Sequence, residues 1–319
     1  MSERELVLER QGVRRRFVGS SLAVRRYLTG YGLLLPALAV FAVFYYGPAL
    51  FLAYISFFHW SVLYSASRFV GLDNFRILFA QPLFWKSLLN SVYYTVVMIP
   101  ATVLVALGLA LLLREGLEAK RGGLARALVF LPHVTPVVAT SIVWVWIFNP
   151  RFGLANYLLH LVGLPALGWL ESVKWAFPAV MIDTLWHSVG LYVLIFLAGL
   201  ANVPRNQLEA ARVDGAAAYT VFRRIIWPLL SPTTFFVVIL TTVNTWQAFS
   251  QIFAMTGGPH GGAGGPAFAT TTDALLVYST AFLYQHFSLA AAMSLVLFGI
   301  IFTLALLQKL ASDRLVFYR

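Results

Sequence analysis

The sequence predicts an all-α integral membrane protein with six transmembrane helices and both termini in the cytoplasm. Composition is the first reason, since 60% of the 319 residues are hydrophobic and only 11% are charged, whereas a soluble domain carries about 25% charged residues. The second reason is a series of nearly uncharged stretches, each as long as the roughly 20 residues that a helix needs to cross a bilayer. The third is that basic loops alternate with loops poor in Lys and Arg.

The predicted spans are long and mostly uninterrupted. They cover residues 31–58, 90–113, 127–148, 175–200, 229–251 and 288–310. Pro36 and Pro48 predict kinks or a late start in the first span, and the segment 82–91 before the second is rich enough in aromatics to lie along the membrane interface. The predicted organisation is a cytoplasmic tail (1–30), a single transmembrane domain (31–310) and a second cytoplasmic tail (311–319).

The positions of Lys and Arg predict the orientation of the spans. The two tails and the loops 114–126 and 201–228 hold 17 of the 23 basic residues, Lys309 lies at the edge of the second tail, and the three other loops hold 5. Because cytoplasmic loops carry the excess of Lys and Arg, these four segments are predicted to face the cytoplasm. The net charge of +11 is then a signal of topology, and no nucleic-acid partner is expected.

Several kinds of chemistry are excluded by composition. The chain has no cysteine, so it has no disulfide, catalytic thiol or thiolate metal site. The histidines are scattered without metal-ligand spacing, and no Ser, His and Asp set converges, so neither a metal nor a catalytic residue is expected. The glycine-rich run 257–265 lacks the Gly-Lys-Ser/Thr ending of a phosphate-binding loop. The N-terminal segment is too long and too charged for a signal peptide.

A polar run, NVPRNQLEAARVDGAAAYTVFRRIIWP at 202–228, separates the fourth and fifth spans. Pro204 suits a first helical position, where its missing N–H costs nothing. Gly215 suits the end of that helix because glycine tolerates a left-handed backbone. A second short helix is predicted over about 217–226, before Pro228 opens the next span. Composition leaves two interpretations open, a solvated connector and a docking element for a soluble partner.

The run contains EAARVDG, then nine residues, then Ile225, Ile226, Trp227 and Pro228. It resembles the EAA loop of permease subunits of binding-protein-dependent ABC importers, with Trp227 in place of a leucine. The resemblance covers about residues 30–310. Within the family, the chain resembles the carbohydrate-uptake branch, of maltose and glycerol-3-phosphate type. Further motifs carry it: GLDNF (71–75), FLPHVTPVV (130–138), WVWIFNPRFGLAN (144–156), IFLAGLANVP (195–204), MTGGP (255–259) and AFLYQHFSLAAAMSLVLF (281–298).

The resemblance implies a division of labour. This chain would form half of the pathway for a sugar or related solute, and a second permease subunit the other half. Two ATPase subunits would hold ATP and Mg, and an extracytoplasmic solute-binding protein would deliver the solute. The chain would bind no cofactor, would not be an enzyme itself, and would lie in the cytoplasmic (inner) membrane of a bacterium or archaeon. The implied ATPase-coupling residues are Glu209, Ala210, Ala211, Asp214 and Gly215.

The chemistry of these residues fits that role. Ala210 and Ala211 leave a slim surface that can enter a cleft, and Glu209 can accept a charge-assisted hydrogen bond from a partner Arg or Lys. The alternative for Glu209 is an ion pair within its own helix, with Arg205 or Arg212.

Two residues of the fourth span are candidates for the solute pathway, because ionisable groups are costly in lipid and tend to face protein or water. Asp183 is the acidic residue inside that span, and His187 follows four positions later on the same helical face. Either the pair lines the solute route or contacts the partner permease, or Asp183 is a hydrated carboxylate and His187 a packing residue.

The fifth span carries a second set of candidates. Asn244, Gln247 and Gln251 fall at i, i+3 and i+7, on one face of a helix, with Trp246 and Phe249 close by. Amides and aromatic faces suit a sugar, whose hydroxyls need partners and whose C–H faces are apolar. The alternative is hydrogen bonding between helices of the bundle.

Other classes of protein are weaker alternatives. A self-sufficient secondary transporter or channel for small polar solutes would commonly show an internal repeat, and the sequence has none that is convincing. An intramembrane enzyme would need a catalytic set. His133, between Pro132 and Pro136, is predicted to be structural.

Overall fold

The computed structural model describes residues 25–60, 67–115, 122–257 and 264–315, and most of these are helical. Outside this part lie residues 1–24, 61–66, 116–121, 258–263 and 316–319. They include most of the N-terminal tail, the middle of the loop 114–126 and most of the glycine-rich run. Contacts divide the chain into two compact units, one ending at Ile55 and the other beginning at Ser56.

The helices follow one another with short connections, and one small hairpin lies between the first two. The helices are α1 (Arg25–Ser56), α2 (Asp73–Ala80), α3 (Pro82–Glu115), α4 (Gly122–Val134), α5 (Val137–Ile147), α6 (Leu154–Leu161), α7 (Ala176–Ala201), α8 (Arg205–Val213), α9 (Ala218–Leu229), α10 (Ser231–Trp246), α11 (Ser250–Thr256), α12 (Asp273–Leu283) and α13 (Phe287–Leu315). The hairpin pairs β1 (Phe58–His59) with β2 (Arg68–Phe69) in antiparallel fashion, a small departure from the all-α prediction.

Within the described residues, four helices are long and apolar enough to cross a bilayer: α1, α3, α7 and α13. Two bent pairs raise the number to six if each pair is one span. The α4–α5 pair bends by 96° and the α9–α10 pair by 65°. A mostly helical protein with four to six apolar spans is therefore confirmed, whereas the number six and the orientation of the termini remain predictions.

Helix α1 continues through both of its prolines. Pro48 cannot donate a backbone hydrogen bond to the preceding turn. The helix widens just before it, in a π turn over Ala42–Tyr46 that the Gly47 N–H closes on the Ala42 carbonyl. Such π turns occur as single insertions within α-helices.

Helix α3 begins earlier than predicted. It starts at Pro82, so the segment 82–91, expected along the membrane interface, forms its first turns. Proline suits such a start because the first backbone N–H groups of a helix have no partner within it.

Two predicted spans are broken. In the third, Pro136 has a ψ of 118°, which takes the backbone out of the helix between α4 and α5. In the fifth, α10 ends at Trp246, and Phe249 has a φ of −136°. The Thr272 hydroxyl donates to the Ala248 carbonyl within this second break, at 2.8 Å. Both breaks matter because they shape the site.

Helices α3, α7 and α10 pack together at the centre of the second unit. Ala106, Val193, Phe196 and Val237 are buried there, within one apolar cluster. Helix α4 packs on α7 by a close approach at Gly190, where an added Cβ would collide with the Val129 carbonyl oxygen. Glycine is therefore what allows these two backbones to meet.

The connection after α11 is fixed to α3 by polar side chains. The Ser87 hydroxyl donates to the Asp273 carboxylate at 2.6 Å, and the Asp273 N–H donates to the Ser91 hydroxyl at 3.0 Å. The Asn90 amide donates to the carbonyls of Phe268 and Thr271. These bonds attach the connection and the start of α12 to α3.

Candidate solute cavity and coupling segment

The coupling segment, residues 204–216, has the local structure that its residues predict. Pro204 precedes α8 as an extended residue, so the helix begins at Arg205, one position after the predicted start. Gly215 has a φ of 70°. The Gly215 N–H donates to the Arg212 carbonyl at 3.1 Å and the Ala216 N–H to the Ala211 carbonyl at 2.9 Å. This pair of bonds is a Schellman motif, so the prediction that Gly215 ends the helix is confirmed.

The coupling candidates differ in exposure. Glu209, Ala210, Asp214 and Gly215 are exposed, whereas Ala211 is buried. The expected slim surface is therefore formed by Ala210 without Ala211, which packs inward. This correction follows from the 100° rotation between successive helical residues.

Two apolar side chains of the same region were not singled out from the sequence. Val213 is 88% exposed and Tyr219 is 69% exposed. They flank Gly215 on a polar segment, where an exposed apolar patch is a common sign of a protein contact. The sequence signal that could have identified them is their position shortly after the EAA motif.

The second helix of the run extends further than predicted. Helix α9 begins at Ala218 and continues to Leu229, passing through a π turn at Phe222–Ile226. Pro228 lies in its last turn, so the next helix begins after it, at Ser231.

A polar cavity of about 250 Å³ lies inside the second unit. Helices α3, α4, α7 and α10 and the segment from residue 247 to 251 form its wall. The lining residues are Tyr94, Met98, Thr102, His133, Thr184, His187, Ser188, Tyr192, Thr241, Asn244, Thr245, Gln247, Ala248, Phe249, Ser250 and Gln251.

Four of the predicted pathway residues meet at this cavity: His187, Asn244, Gln247 and Gln251. The expected geometry was wrong for three of them, because α10 ends at Trp246 and the three amides do not share one continuous helical face. The break after α10 brings them to the same wall instead.

Two other candidates lie outside the lining. Asp183 is fully buried and accepts a hydrogen bond of 2.6 Å from the Ser141 hydroxyl of α5. The carboxylate therefore contacts another helix of this chain and lies away from the cavity wall. Trp246 is only 4% exposed and is likewise absent from the cavity wall.

Several lining residues were not identified from the sequence. The Tyr94 hydroxyl donates to the Thr184 hydroxyl at 2.8 Å, and the Asn244 amide donates to the Tyr192 hydroxyl at 3.1 Å. His133, predicted to be structural, lies on the wall with its ring centroid 5.8 Å from that of His187. Polar residues four apart, Ser91 and Thr95 on α3 and Thr184 and Ser188 on α7, mark the inward faces of these helices and were the available sequence signal.

The lining suits an uncharged solute. None of the described lining residues is Asp, Glu, Lys or Arg, and most present a hydroxyl, an amide or an imidazole. Such groups can donate to and accept from sugar hydroxyls. Across the described ranges, no cluster of three His, Asp or Glu side chains is placed to hold a metal ion.

A bundle of apolar helices around a polar cavity, joined to an exposed polar segment, defines a multi-pass membrane transport protein. The chain belongs to the family described as the binding-protein-dependent transport system inner membrane component, which matches residues 106–316.

The relatives agree with this assignment. The chain is 33% identical to an sn-glycerol-3-phosphate transport system permease protein from Agrobacterium fabrum, over 90% of this chain and 96% of that protein. It is 33% identical to a trehalose/maltose transport system permease protein from Thermococcus litoralis, over 82% and 85%. It is 32% identical to a lactose transport system permease protein from Rhizobium radiobacter, over 92% and 97%.

A solved structure has the same fold. A bacterial ABC transporter involved in the import of the acidic polysaccharide alginate has a chain that matches with a TM-score of 0.76 and 21% identity, over 91% of this chain and 97% of that one. The predicted identity as a permease subunit of an ABC importer is thus confirmed, and the secondary-transporter alternative has no support among these relatives.

Proposed function

We propose that this chain forms half of the translocation pathway for an uncharged sugar or a related polyhydroxylated solute. The observation that carries this proposal is the cavity, whose described lining offers many neutral polar groups and no formally charged Asp, Glu, Lys or Arg. An anionic group held in a buried site needs a cation or several strong donors to offset the loss of its hydration.

The names of the relatives leave the charge of the solute open. Lactose and trehalose/maltose are uncharged sugars, whereas sn-glycerol-3-phosphate is an anion. The cavity favours the first group. Tyr94, Tyr192 and Phe249 add aromatic surface for the apolar C–H faces of a sugar ring, and Asn244 and Gln247 add amides for its hydroxyls.

The partners in this proposal are a second permease subunit, two ATPase subunits and an extracytoplasmic solute-binding protein. ATP and Mg belong to the ATPases, and this chain binds no cofactor. In this proposal the chain has six spans, and both termini and the coupling segment face the cytoplasm, a topology supported by the large share of Lys and Arg in those segments. The setting is the cytoplasmic (inner) membrane of a bacterium or archaeon.

ATP-driven motion enters this subunit through the coupling segment. Glu209 and Ala210 are exposed on α8, and Val213 and Tyr219 extend the surface on either side of Gly215. An ATPase cleft can accept the small side chain of Ala210, pair a cation with Glu209 and cover the apolar groups. Asp214 lies exposed at the end of the helix and adds a second carboxylate.

The test is ATP-driven uptake by the assembled importer in lipid vesicles. Radiolabelled maltose, lactose and glycerol 3-phosphate are offered in turn with the cognate binding protein. We expect an uncharged sugar to be taken up only when ATP is present on the side of the vesicle membrane where the ATPase subunits lie. Uptake of glycerol 3-phosphate in preference to both sugars would overturn the proposed solute class, and uptake by this chain alone would overturn the division of labour.

A further inference from the structure

One face of α7 contacts both arms of the bent α4–α5 pair. Asp183, His187 and Gly190 fall at i, i+4 and i+7 and so lie on one stripe. Asp183 accepts from Ser141 of α5 at 2.6 Å, and His187 Nε2 lies 3.2 Å from the Thr135 carbonyl oxygen at the bend. Because a carbonyl oxygen only accepts, Nε2 is the donor in this bond.

The third residue of the stripe brings in α4. Beside Gly190, the place of a Cβ lies 2.8 Å from the Phe130 Cα and collides with the Val129 carbonyl oxygen. Helix α7 therefore contacts the bent pair at three successive places: on α5, at the bend and on α4.

The bend needs an outside donor because of its sequence. Pro136 leaves the helical conformation, with a ψ of 118°, so the Thr135 carbonyl is no longer in line with the N–H four residues further on, its partner in a continuous helix. The residue before a proline is also disfavoured in the helix, so the Thr135 carbonyl is not part of a regular helical ladder. An unpaired backbone carbonyl in an apolar surrounding is costly, and His187 removes that cost.

His187 also lines the cavity, and so does His133, which lies two residues before Thr135. We propose that His187 is a positioning residue that fixes the bend of the α4–α5 pair and thereby sets where His133 stands in the cavity wall. This proposal rests on the proposed function, because it takes the cavity as the solute route.

The first experiment needs no solute. Hydrogen exchange of the segment 131–141 is measured by mass spectrometry on the assembled importer, for His187→Leu and His187→Gln. Leucine cannot donate to Thr135, so we expect exchange in this segment to rise about fivefold, the factor that one lost hydrogen bond gives. Glutamine keeps an N–H donor and should restore exchange to nearly the wild-type rate.

Ser188→Ala is the matched control. Ser188 also lines the cavity, but its hydroxyl donates to the Thr184 carbonyl of its own helix, at 2.7 Å. Exchange of the segment 131–141 should therefore be unchanged in this variant. Wild-type exchange in His187→Leu, or equal acceleration in His187→Gln, would overturn the proposal.

The second experiment separates positioning from simple solute contact. Maltose uptake and ATP hydrolysis are measured in the same vesicles. We expect His187→Leu to lower the maximal uptake rate about fivefold while ATP hydrolysis continues, and Ser188→Ala to change KM alone. A change of KM alone in His187→Leu would overturn the proposal. If the wild type takes up neither maltose nor lactose, the proposed function fails, whereas the exchange experiment still decides the role of His187.

Discussion

The coupling segment and the cavity wall are held together in opposite ways. The coupling segment is fixed by backbone bonds between neighbours, such as Gly215 to Arg212, and it leaves most side chains exposed. The cavity wall is fixed by side-chain bonds between distant helices, such as Asn244 to Tyr192, 52 residues apart. A substitution in the first region should change what the surface binds, and one that forces two helices apart in the second should also lower the stability of the fold.

The largest expected effect is for Gly190→Val, at the contact between α7 and α4, two of the helices that form the cavity wall. The added side chain meets the backbone of α4, which cannot move aside as a flexible side chain can. We expect the permease to lose about 3 kcal/mol of stability, measured as a lower melting temperature of the purified complex. Gly108→Ala is the control, because a Cβ there meets nothing within 4 Å. Equal melting of the two variants would show that the close approach does not exist.

The next largest effect is at the coupling surface, for Glu209→Arg. A reversed charge at an ATPase contact should lower ATP-driven uptake about a hundredfold, since like charges across an interface cost several kcal/mol. The melting temperature should stay at the wild-type value, because Glu209 is exposed. Normal uptake, or a fall in melting temperature that matches the fall in uptake, would contradict the contrast between the two regions.

A smaller loss is expected for the double variant Asn244→Leu and Gln247→Leu. It removes two amides from the wall, each worth about one hydrogen bond to a sugar, so uptake at low solute concentration should fall about tenfold. ATP hydrolysis and subunit assembly serve as controls, and both should persist. Unchanged uptake would remove these two residues from the solute route.

The smallest effect is expected for Gly215→Ala. Its φ of 70° strains any residue with a Cβ, at a cost of about 1 kcal/mol. The expected result is faster hydrogen exchange in α8 with little change in global melting. Gly123→Ala, at a helical glycine with open space around it, should have no such effect. A global loss of stability in Gly215→Ala would mean that the coupling segment is not an independent local structure.

The sequence could predict the coupling segment because its structure is local. Gly215 needs only its neighbours to end a helix, and the Schellman motif confirms that expectation. The cavity was predicted only in part. Asn244, Gln247 and Gln251 reach it through a break that the spacing of a continuous helix does not contain, and His133 reaches it through the bend at Pro136.

The misplaced candidates have a related cause. Asp183 and His187 are four residues apart, and a helical wheel puts them on one face. In the structure Asp183 contacts α5 only, whereas His187 contacts both the bend of the α4–α5 pair and the cavity. A polar stripe on an apolar helix marks a face turned away from lipid, but the spacing of its residues does not tell a protein contact from a cavity, so only the packing of the bundle separates the two roles.

The bond between Asn244 and Tyr192 bears on the speed of transport. The amide already donates one N–H to the tyrosine hydroxyl at 3.1 Å, which leaves its second N–H and its carbonyl oxygen for a sugar hydroxyl. A hydrogen bond of this kind is worth only about 1 kcal/mol net, so a few of them would hold a sugar weakly and release it quickly. A conduit gains from a brief residence time, because a solute held tightly at mid-route would limit the turnover of the whole importer.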